Sequence, residues 1–241
     1  MKKTTILAFC LMLGFSAFSQ ESTVPTGKRT YLAISMGSSI PLADFKSTDG
    51  ANPYAGFAKS GKKYDVLWGK DLKSPHLGIS GLFRLHTNSI DESALSSFAK
   101  SVYPNYNFTI STKDWQLYTL MGGAYYRIPV SKKMTIMPKA MLGLAYVYLP
   151  EINVVAENNL ASIATSFTAS SYTVTPSYLF SIGLGSAIFK RIVLVSNFDI
   201  LGAFTTFNDV KTTYGNGTSI TRTKSPSFLT FNYGIGIGYK F

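Results

Sequence analysis

The chain has 241 residues, of which 46% are hydrophobic and 14% aromatic, and its formal net charge is +11. The single cysteine, Cys10, excludes a fold held together by disulfide bonds within the chain. Only His76 and His86 supply imidazole groups, and no pair has metal-ligand spacing, so the sequence predicts no metal site and no cofactor. The basic residues form no stripe laced with aromatics, which argues against a nucleic-acid partner.

The N-terminus has the layout of a secretory signal peptide. Lys2 and Lys3 precede an apolar run over residues 6–18, and a small-x-small cleavage site ends at Ser19. We therefore predict a signal peptide over residues 1–19, whose removal leaves 21 basic and 12 acidic residues, a formal charge of +9. Lipid attachment to Cys10 is disfavoured, because Phe9 stands where a lipobox needs a small residue.

Beyond residue 29 the dominant pattern has a period of two, which is the signature of extended strands. The pattern divides into eight segments, each about long enough to cross a bilayer at a tilt. No apolar run of about 18 residues, which a membrane-spanning helix would need, is left in this part of the sequence. The last segment alternates without a fault, with large apolar residues on one side and small or polar residues on the other. The eight predicted strands are 30–39, 61–70, 76–86, 115–128, 133–148, 174–188, 191–206 and 229–241.

Two of these segments are irregular. In 115–128, bulky residues occupy both faces, so its register is open. In 133–148, Pro138 lacks the N–H that a paired strand donates, which predicts a bulge or a later start of the strand.

The connections alternate between short and long. The short ones are 71–75, 129–132 and 189–190, and the long ones are 40–60, 87–114, 149–173 and 207–225. Asn216-Gly217 in the last long connection predicts a hairpin tip. The aromatic and amide-rich stretch 103–108 is typical of a binding surface, and continuation of strands beyond the barrel is an equal alternative.

Charged and amide side chains on the small-residue face form a predicted polar network. If the sheet closes with its apolar face outward, these side chains point into the lumen, where buried charges need partners. We predict an ion-paired plug, since eight strands leave no wide channel. The alternative is that some of these residues lie at wet rims. The predicted network residues are Asp65, Arg84, Arg127, Lys139, Asn197, Asp199 and Asn232.

The strand count, the alternating connections and the terminal Tyr239-Lys240-Phe241 resemble those of the small outer-membrane β-barrels of Gram-negative bacteria, the OmpA/OmpX type. The resemblance implies an all-β fold: an eight-stranded antiparallel up-and-down transmembrane β-barrel over residues 30–241. Residues 20–29 would then be a periplasmic N-terminal segment, with the short turns periplasmic and the long loops outside.

The resemblance also implies how the protein reaches its place. Tyr239 and Phe241 look like the family's C-terminal insertion signal, which implies periplasmic chaperones and the barrel-assembly machinery as partners during biogenesis. Outer-membrane lipids are the expected surroundings, and a porin-like monomer is the expected state.

A soluble exported barrel or sandwich is the competing fold, because its strands alternate equally well. The strands offer mostly glycine, serine and alanine opposite the apolar face, whereas a soluble sheet would show lysine, glutamate and threonine there. Aromatic residues near the strand ends fit interfacial girdles and favour the membrane barrel. These residues are Trp68, Trp115, Tyr126, Tyr148 and Tyr239.

The sequence thus predicts a structural or surface-interaction role, with a narrow plugged lumen, loops as the interaction surface and no catalytic residue. One alternative is an enzyme that modifies outer-membrane lipid, built on His86 with Ser89, Asp91 and Glu92. Another is a narrow pore for small solutes. The lysines and arginines at the short turns are either contacts to lipid phosphates or ordinary solvated turn residues.

Overall fold

A computed structural model describes residues 30–74, 76–158 and 163–241. The predicted signal peptide and residues 20–29 lie outside the described residues. Within those ranges, neither helix is long and apolar enough to span a membrane.

Strands account for most of the described chain, with two short helices in the long connections. In chain order the elements are β1 (Thr30–Pro41), α1 (Ala43–Lys46), β2 (Ala58–Asp71), β3 (Leu77–Ile90), α2 (Glu92–Val102), β4 (Tyr106–Thr112), β5 (Trp115–Tyr126), β6 (Ile128–Pro129), β7 (Met134–Leu149), β8 (Ile152–Asn158), β9 (Ile163–Thr168), β10 (Ser171–Ala187), β11 (Ile192–Phe204), β12 (Phe207–Tyr214), β13 (Ser219–Lys224) and β14 (Ser227–Lys240).

Eight of the strands form a closed antiparallel barrel. Their order around the barrel is β10, β11, β14, β1, β2, β3, β5 and β7, and pairing of β7 with β10 closes it. The last strand pairs with the first, with Leu32 opposite Tyr239 and Ile34 opposite Ile237. The predicted eight-stranded barrel is therefore confirmed, including the closure by the C-terminal strand.

The barrel carries its large apolar side chains on the outside. Ile34, Leu120 and Leu142 are 63%, 69% and 72% exposed, whereas Asp65 and Arg84 on the other face are buried. A continuous apolar belt of this kind is unfavourable in water but matches a hydrocarbon surrounding. Closure also pairs the backbone N–H and C=O groups that an open sheet edge would leave without partners in a bilayer. The barrel is thus of the transmembrane type.

The predicted bulge at Pro138 is wrong. β7 runs through Pro138 without a register shift against β10. On its other side, β5 ends at Tyr126 and β6 resumes the same register at Ile128, opposite Ile136. The interruption lies opposite Pro138 because proline has no N–H to donate to the ladder.

The long connections are more structured than the sequence predicts. β4, β8, β9, β12 and β13 form a second, five-stranded sheet in the order β13, β12, β9, β8 and β4. The predicted hairpin tip at Asn216-Gly217 is confirmed, since it joins β12 to β13 and Gly217 has a φ of +83°. The stretch 106–108 belongs to β4, which agrees with the alternative of continued strands.

Several barrel strands are also longer at the loop end than predicted, including the neighbours β2 and β3. β2 begins at Ala58 rather than residue 61, and β3 continues to Ile90 rather than ending at 86. In the extended β3, His86 and Asn88 both face the lumen, since they keep the alternation of Arg84.

Candidate functional site

The mouth of the barrel at the loop end is closed by a cluster of four aromatic side chains. Phe45 of α1 is fully buried, with its ring centroid 4.1 Å from that of Phe228 and 5.6 Å from that of Trp115. Phe207 lies 6.3 Å from Trp115, measured between ring centroids. We call Phe45, Trp115, Phe207 and Phe228 the aromatic layer. Aromatic side chains bury large areas, so this layer excludes water from the mouth.

Trp115 was predicted in an outer aromatic girdle, and that prediction is wrong. It is 4% exposed and faces inward in phase with Leu117, and its indole Nε1 donates a hydrogen bond to the Gly56 carbonyl over 3.0 Å. Trp68 and Tyr239, by contrast, lie on the exposed outer face, as a girdle requires. Bulky residues occupy both faces of β5, so the sequence does not show which of its residues point inward.

The connection between β1 and β2 is anchored in the mouth. Ala43 and Phe57, at its two ends, have φ angles of 48° and 50°. This left-handed conformation costs a non-glycine residue about 1–2 kcal/mol. The surrounding contacts offset the cost, because Gly56 N donates to Asp44 O over 3.0 Å and Asp91 N donates to Phe57 O over 2.7 Å. The segment therefore places Phe45 as part of the lumen filling.

Below the aromatic layer, charged groups meet across the lumen. Arg84 Nε and Nη2 donate to the two carboxylate oxygens of Asp65 over 2.6 and 3.1 Å. Its Nη1 and Nη2 donate to both carboxylate oxygens of Asp199 over 2.7 and 2.8 Å. The guanidinium group is thus bonded to two carboxylates in bidentate geometry, which is the strongest arrangement open to arginine.

Lys63 and Asn232 complete this cluster, which we call the ionic layer: Lys63, Asp65, Arg84, Asp199 and Asn232. Lys63 Nζ lies 3.0 Å from Asp199 Oδ2 and 3.2 Å from Asp65 Oδ2. Asn232 Nδ2 donates to Asp199 Oδ1 over 2.9 Å. Two cations and two carboxylates give the layer a net charge of zero, so each buried charge has partners.

The ionic layer joins opposite walls of the barrel. Around the barrel, three strands separate β3, which carries Arg84, from β11, which carries Asp199, in either direction. Gly234 leaves room for Lys63 beside this crossing, because a Cβ there would lie 2.9 Å from both Lys63 Cε and Met36 O. The Arg84–Asp199 contact therefore bridges the full width of the lumen.

The structure brings four of the predicted network residues into one cluster: Asp65, Arg84, Asp199 and Asn232. Lys139 and Asn197 lie beside it as a pair, with Lys139 Nζ donating to Asn197 Oδ1 over 3.2 Å. The cavity between pair and cluster is about 10 Å³, close to the least that one buried water needs. Lys63 was missed in the sequence, although it has the same phase on β2 as Asp65.

Arg127 lies apart from the ionic layer, at the short-turn end of the barrel. Its Nη1 donates to Asp71 Oδ2 over 2.5 Å, and Tyr125 Oη donates to Asp71 Oδ1 over 2.5 Å. The rings of Tyr31 and Tyr125 meet at a centroid distance of 6.0 Å. A third group of side chains thus fills the lumen at this end: Tyr31, Asp71, Tyr125 and Arg127. A cavity of about 30 Å³ beside Tyr31 and Arg127 holds little more than water.

His86 does not assemble the predicted enzyme-like constellation. It is fully buried in the lumen, with its ring 5.8 Å from that of Phe228, and neither nitrogen has a hydrogen-bond partner among the described residues. Ser89 is an odd number of positions away, so its side chain leaves the opposite face of β3. Asp91 accepts from Ala94 N and Glu92 from Thr112 N, and both carboxylates are therefore engaged elsewhere.

The C-terminus closes the barrel at the short-turn end. Phe241 N donates to Thr30 O over 2.9 Å, and Arg191 Nη1 donates to Tyr239 Oη over 3.0 Å. The ring of Phe241 packs edge-on against that of Tyr239 at 5.1 Å, and Phe241 is 70% exposed. Their function as an insertion signal stays a prediction.

Solved structures with a similar chain path include small outer-membrane barrels. Ail, the attachment invasion locus protein of Yersinia pestis, is 13% identical, and the match covers 90% of this chain and 100% of Ail with a TM-score of 0.45. A major outer membrane protein from Thermus thermophilus is 12% identical over 88% of this chain and 99% of that one, with a TM-score of 0.48. Neisserial surface protein A is 12% identical over 89% and 99%, with a TM-score of 0.43.

No protein-family model matches the sequence, and no curated relative matches it. The fold is defined by this chain's own strand pairing, by its apolar outer face and by the charges it buries inside. The described chain is an eight-stranded antiparallel barrel of the transmembrane type, closed by its C-terminal strand.

Proposed function

We propose that the protein is an integral outer-membrane barrel with a closed lumen, whose loops form an interaction surface and whose role is structural or adhesive rather than transport. The observation that carries the proposal is the contact of Arg84 with Asp65 and Asp199, which bridges opposite walls. A solute on its way through the lumen would have to break four charge-assisted hydrogen bonds made by one buried guanidinium.

The two ends of the barrel support an orientation with the loops outside. The short turns carry basic side chains and exposed aromatic ones around an open cleft of about 580 Å³, which includes Lys132, Lys190 and Phe189. Cations and aromatic rings at a barrel rim fit a layer of anionic phospholipid headgroups. The short-turn end therefore fits the inner leaflet, with the signal peptide and the Tyr239 and Phe241 signal directing export and assembly.

The loop end offers the surface for contact with other molecules. The five-stranded sheet projects there, and its outer strand β13 pairs on one side only among the described residues. Just before β4, the strand at the other edge of this sheet, Phe98, Val102 and Tyr103 are 36%, 50% and 59% exposed. Exposed aromatic and aliphatic side chains on an ordered platform are typical of protein-contact surfaces.

Planar-bilayer recording tests the closed lumen directly. We expect the purified protein, refolded into bilayers, to give no discrete conductance steps, while heat-modifiable gel mobility shows that the barrel is folded. Steps of uniform size in the wild-type protein would refute the closed lumen. Release of the protein from membranes by carbonate would refute the integral barrel itself.

The lipid-modifying alternative has its own test. We expect the masses of lipid A and phospholipids to be the same in cells with the protein, without it, and with His86→Ala. A lipid species that disappears in the last two strains would establish an enzyme. The buried position of His86, without an assembled nucleophile among the described residues, supports the non-enzymatic function.

A further inference from the structure

A pocket of about 510 Å³ lies at the loop end, outside the aromatic layer. One wall is apolar and includes Phe57, Leu95 and Trp115. The other wall is the end of β13, with Arg222 and Lys224. Pockets of about 300–1,000 Å³ with a mostly apolar lining and a few placed polar groups are typical of small-molecule sites.

The charged residues in the pocket lining are both positive. Arg222 and Lys224 are two positions apart on β13, so their side chains leave the same face of the strand. No aspartate or glutamate lines the pocket. Over the described residues, neither Arg222 nor Lys224 takes part in an ion pair with a carboxylate.

Two of the acidic residues in the adjoining segments are already paired with other cations. Asp91 pairs with Lys59 at 3.3 Å, and Glu151 pairs with Lys113 at 2.7 Å. Lys224 is half-buried, and burial together with the neighbouring Arg222 lowers the pKa of Lys224 below its usual value. Two cations that share a pocket without a counter-charge make that pocket favourable for an anion.

The apolar wall is held in place before any ligand binds. The hydrogen bond from Trp115 Nε1 to Gly56 O fixes the indole against the segment 50–57. Tyr54 accepts a further backbone bond, from Ser227 N to Tyr54 O over 3.3 Å. A preformed wall lowers the ordering cost of binding.

We propose that this pocket binds a small amphipathic anion, with its carboxylate, sulfate or phosphate at Arg222 and Lys224 and its apolar body against Trp115 and Phe57. The two cations without a carboxylate partner favour a negatively charged group on the ligand. The apolar wall opposite them favours an apolar body. The site depends on the geometry of the loops alone, and it stands whether or not the five-stranded sheet contacts a macromolecule.

Trp115 provides a reporter inside the pocket. The chain has only two tryptophans, and the other one, Trp68, lies on the exposed outer face of the barrel. In a Trp68→Phe protein folded in an uncharged detergent, tryptophan fluorescence, excited selectively over that of the 15 tyrosines, then comes from Trp115 alone. We expect a saturable change on titration with octanoate, and a response at least about tenfold weaker to octanamide, which matches its length without the charge.

Charge variants separate the pocket from general attraction of anions to a basic protein. In the Trp68→Phe background, we expect Lys224→Gln to weaken octanoate binding at least about tenfold, and Arg222→Gln to weaken it by several-fold. Lys211→Gln is the matched control, because Lys211 is an exposed cation on β12 of the same sheet but does not line the pocket. If Lys224→Gln does not fold by heat-modifiable mobility, the exposed Arg222→Gln decides the question.

The source of the anion is distinguished by a second titration. Vesicles of anionic phospholipid and inorganic phosphate are added separately to the same protein. Inhibition of the octanoate response by inorganic phosphate would support an anion subsite at the cations. Equal responses to octanoate and octanamide, or unchanged binding in Lys224→Gln, would overturn the proposal. A response to the vesicles but not to octanoate would also overturn it, because the cations would then serve a lipid headgroup at the membrane surface.

Discussion

The ionic layer and the aromatic layer fill the same lumen with opposite chemistry. Every member of the ionic layer lies on a barrel strand, so the wall itself supplies the charges that meet in the middle. The aromatic layer includes Phe45, which a loop segment carries into the mouth. One layer is therefore fixed by the strand registers, whereas the other also depends on a loop that packs correctly.

The two layers also differ in how their energies combine. In the ionic layer, the value of each group depends on the others, because removal of one charge leaves a partner buried without compensation. In the aromatic layer, truncation of a ring removes buried area and dispersion contacts with its neighbours but leaves no buried charge without a partner. The following predictions test this contrast, from the largest expected effect to the smallest.

The largest effect is expected for Arg84→Met. It removes the cation bonded to both carboxylates and leaves Asp65 and Asp199 to share Lys63. Breaking a buried ion pair from one side costs about 3–5 kcal/mol of unfolding free energy. We expect a loss of that size in reversible urea unfolding of the barrel in detergent or liposomes.

The control replaces the whole charge cluster. Lys63→Met, Asp65→Asn, Arg84→Met and Asp199→Asn combined leave no buried charge in the ionic layer. We expect this quadruple variant to be more stable than Arg84→Met alone, since no ion is left without a partner. A quadruple variant less stable than the single one would contradict the account, as would a loss below about 1 kcal/mol in Arg84→Met.

Phe45→Ala is expected to have the next largest effect. The ring is fully buried between Trp115 and Phe228, and truncation of a buried phenylalanine costs about 3 kcal/mol or more. Phe98→Ala is the matched control, because Phe98 is a partly exposed phenylalanine in another loop. Equal losses of unfolding free energy in the two variants would show that the segment 43–57 does not fill the mouth.

Trp115→Phe is expected to cost less than either. The variant keeps much of the apolar contact but loses the hydrogen bond to Gly56 O, worth about 1 kcal/mol net. Trp68→Phe, on the outer face, provides the comparison in the same unfolding experiment. If the two variants lose the same free energy, the bond to Gly56 adds nothing to the anchoring of the segment.

The contrast between the layers also explains what the sequence could reveal. Alternation predicted the barrel and the lumen position of Asp65, Arg84 and Asp199, because a strand's period determines which face a residue takes. Lys63 has the same phase on β2 as Asp65, so the same rule could have placed it in the lumen. The buried position of Phe45 was not predictable by this rule, since a loop's path depends on packing that no local pattern encodes. The inward position of Trp115 was missed because bulky residues occupy both faces of β5.

The five-stranded sheet could not be predicted either, because it depends on contacts between distant segments. The five-stranded sheet joins segments from three connections far apart in the chain, and only the tip at Asn216-Gly217 had a local signal. Arg127 was predicted in the main network because it is a charge on the small-residue face of the predicted strand 115–128. Its position along the barrel axis, next to Asp71, depends on the strand stagger, which the sequence does not show.

The smallest expected effect lies outside both layers, at the start of α2. Asp91 caps this helix, with its carboxylate accepting from Ser93 Oγ over 2.6 Å and from Ala94 N over 3.0 Å. Replacement of such a cap by alanine costs about 1 kcal/mol of helix stability. We expect Asp91→Ala to lower the hydrogen-exchange protection of α2 amides, whereas Asp91→Asn, which retains an acceptor, preserves most of it.

The pH dependence gives the same cap a second test. The hydrogen bonds from Ser93 and Ala94 lower the pKa of Asp91, so its contribution is present above the unfolded pKa of about 3.9 and is lost as pH falls through the lower, folded value. Protection of α2, corrected for intrinsic exchange, should therefore fall below about pH 4 in the wild type but not in Asp91→Asn. Because the barrel lumen does not depend on this cap, amides of β3 should keep their protection in all three proteins. Loss of protection in α2 and β3 together would show that the loop and the barrel unfold as one unit, which would remove the distinction between a wall-built layer and a loop-built one.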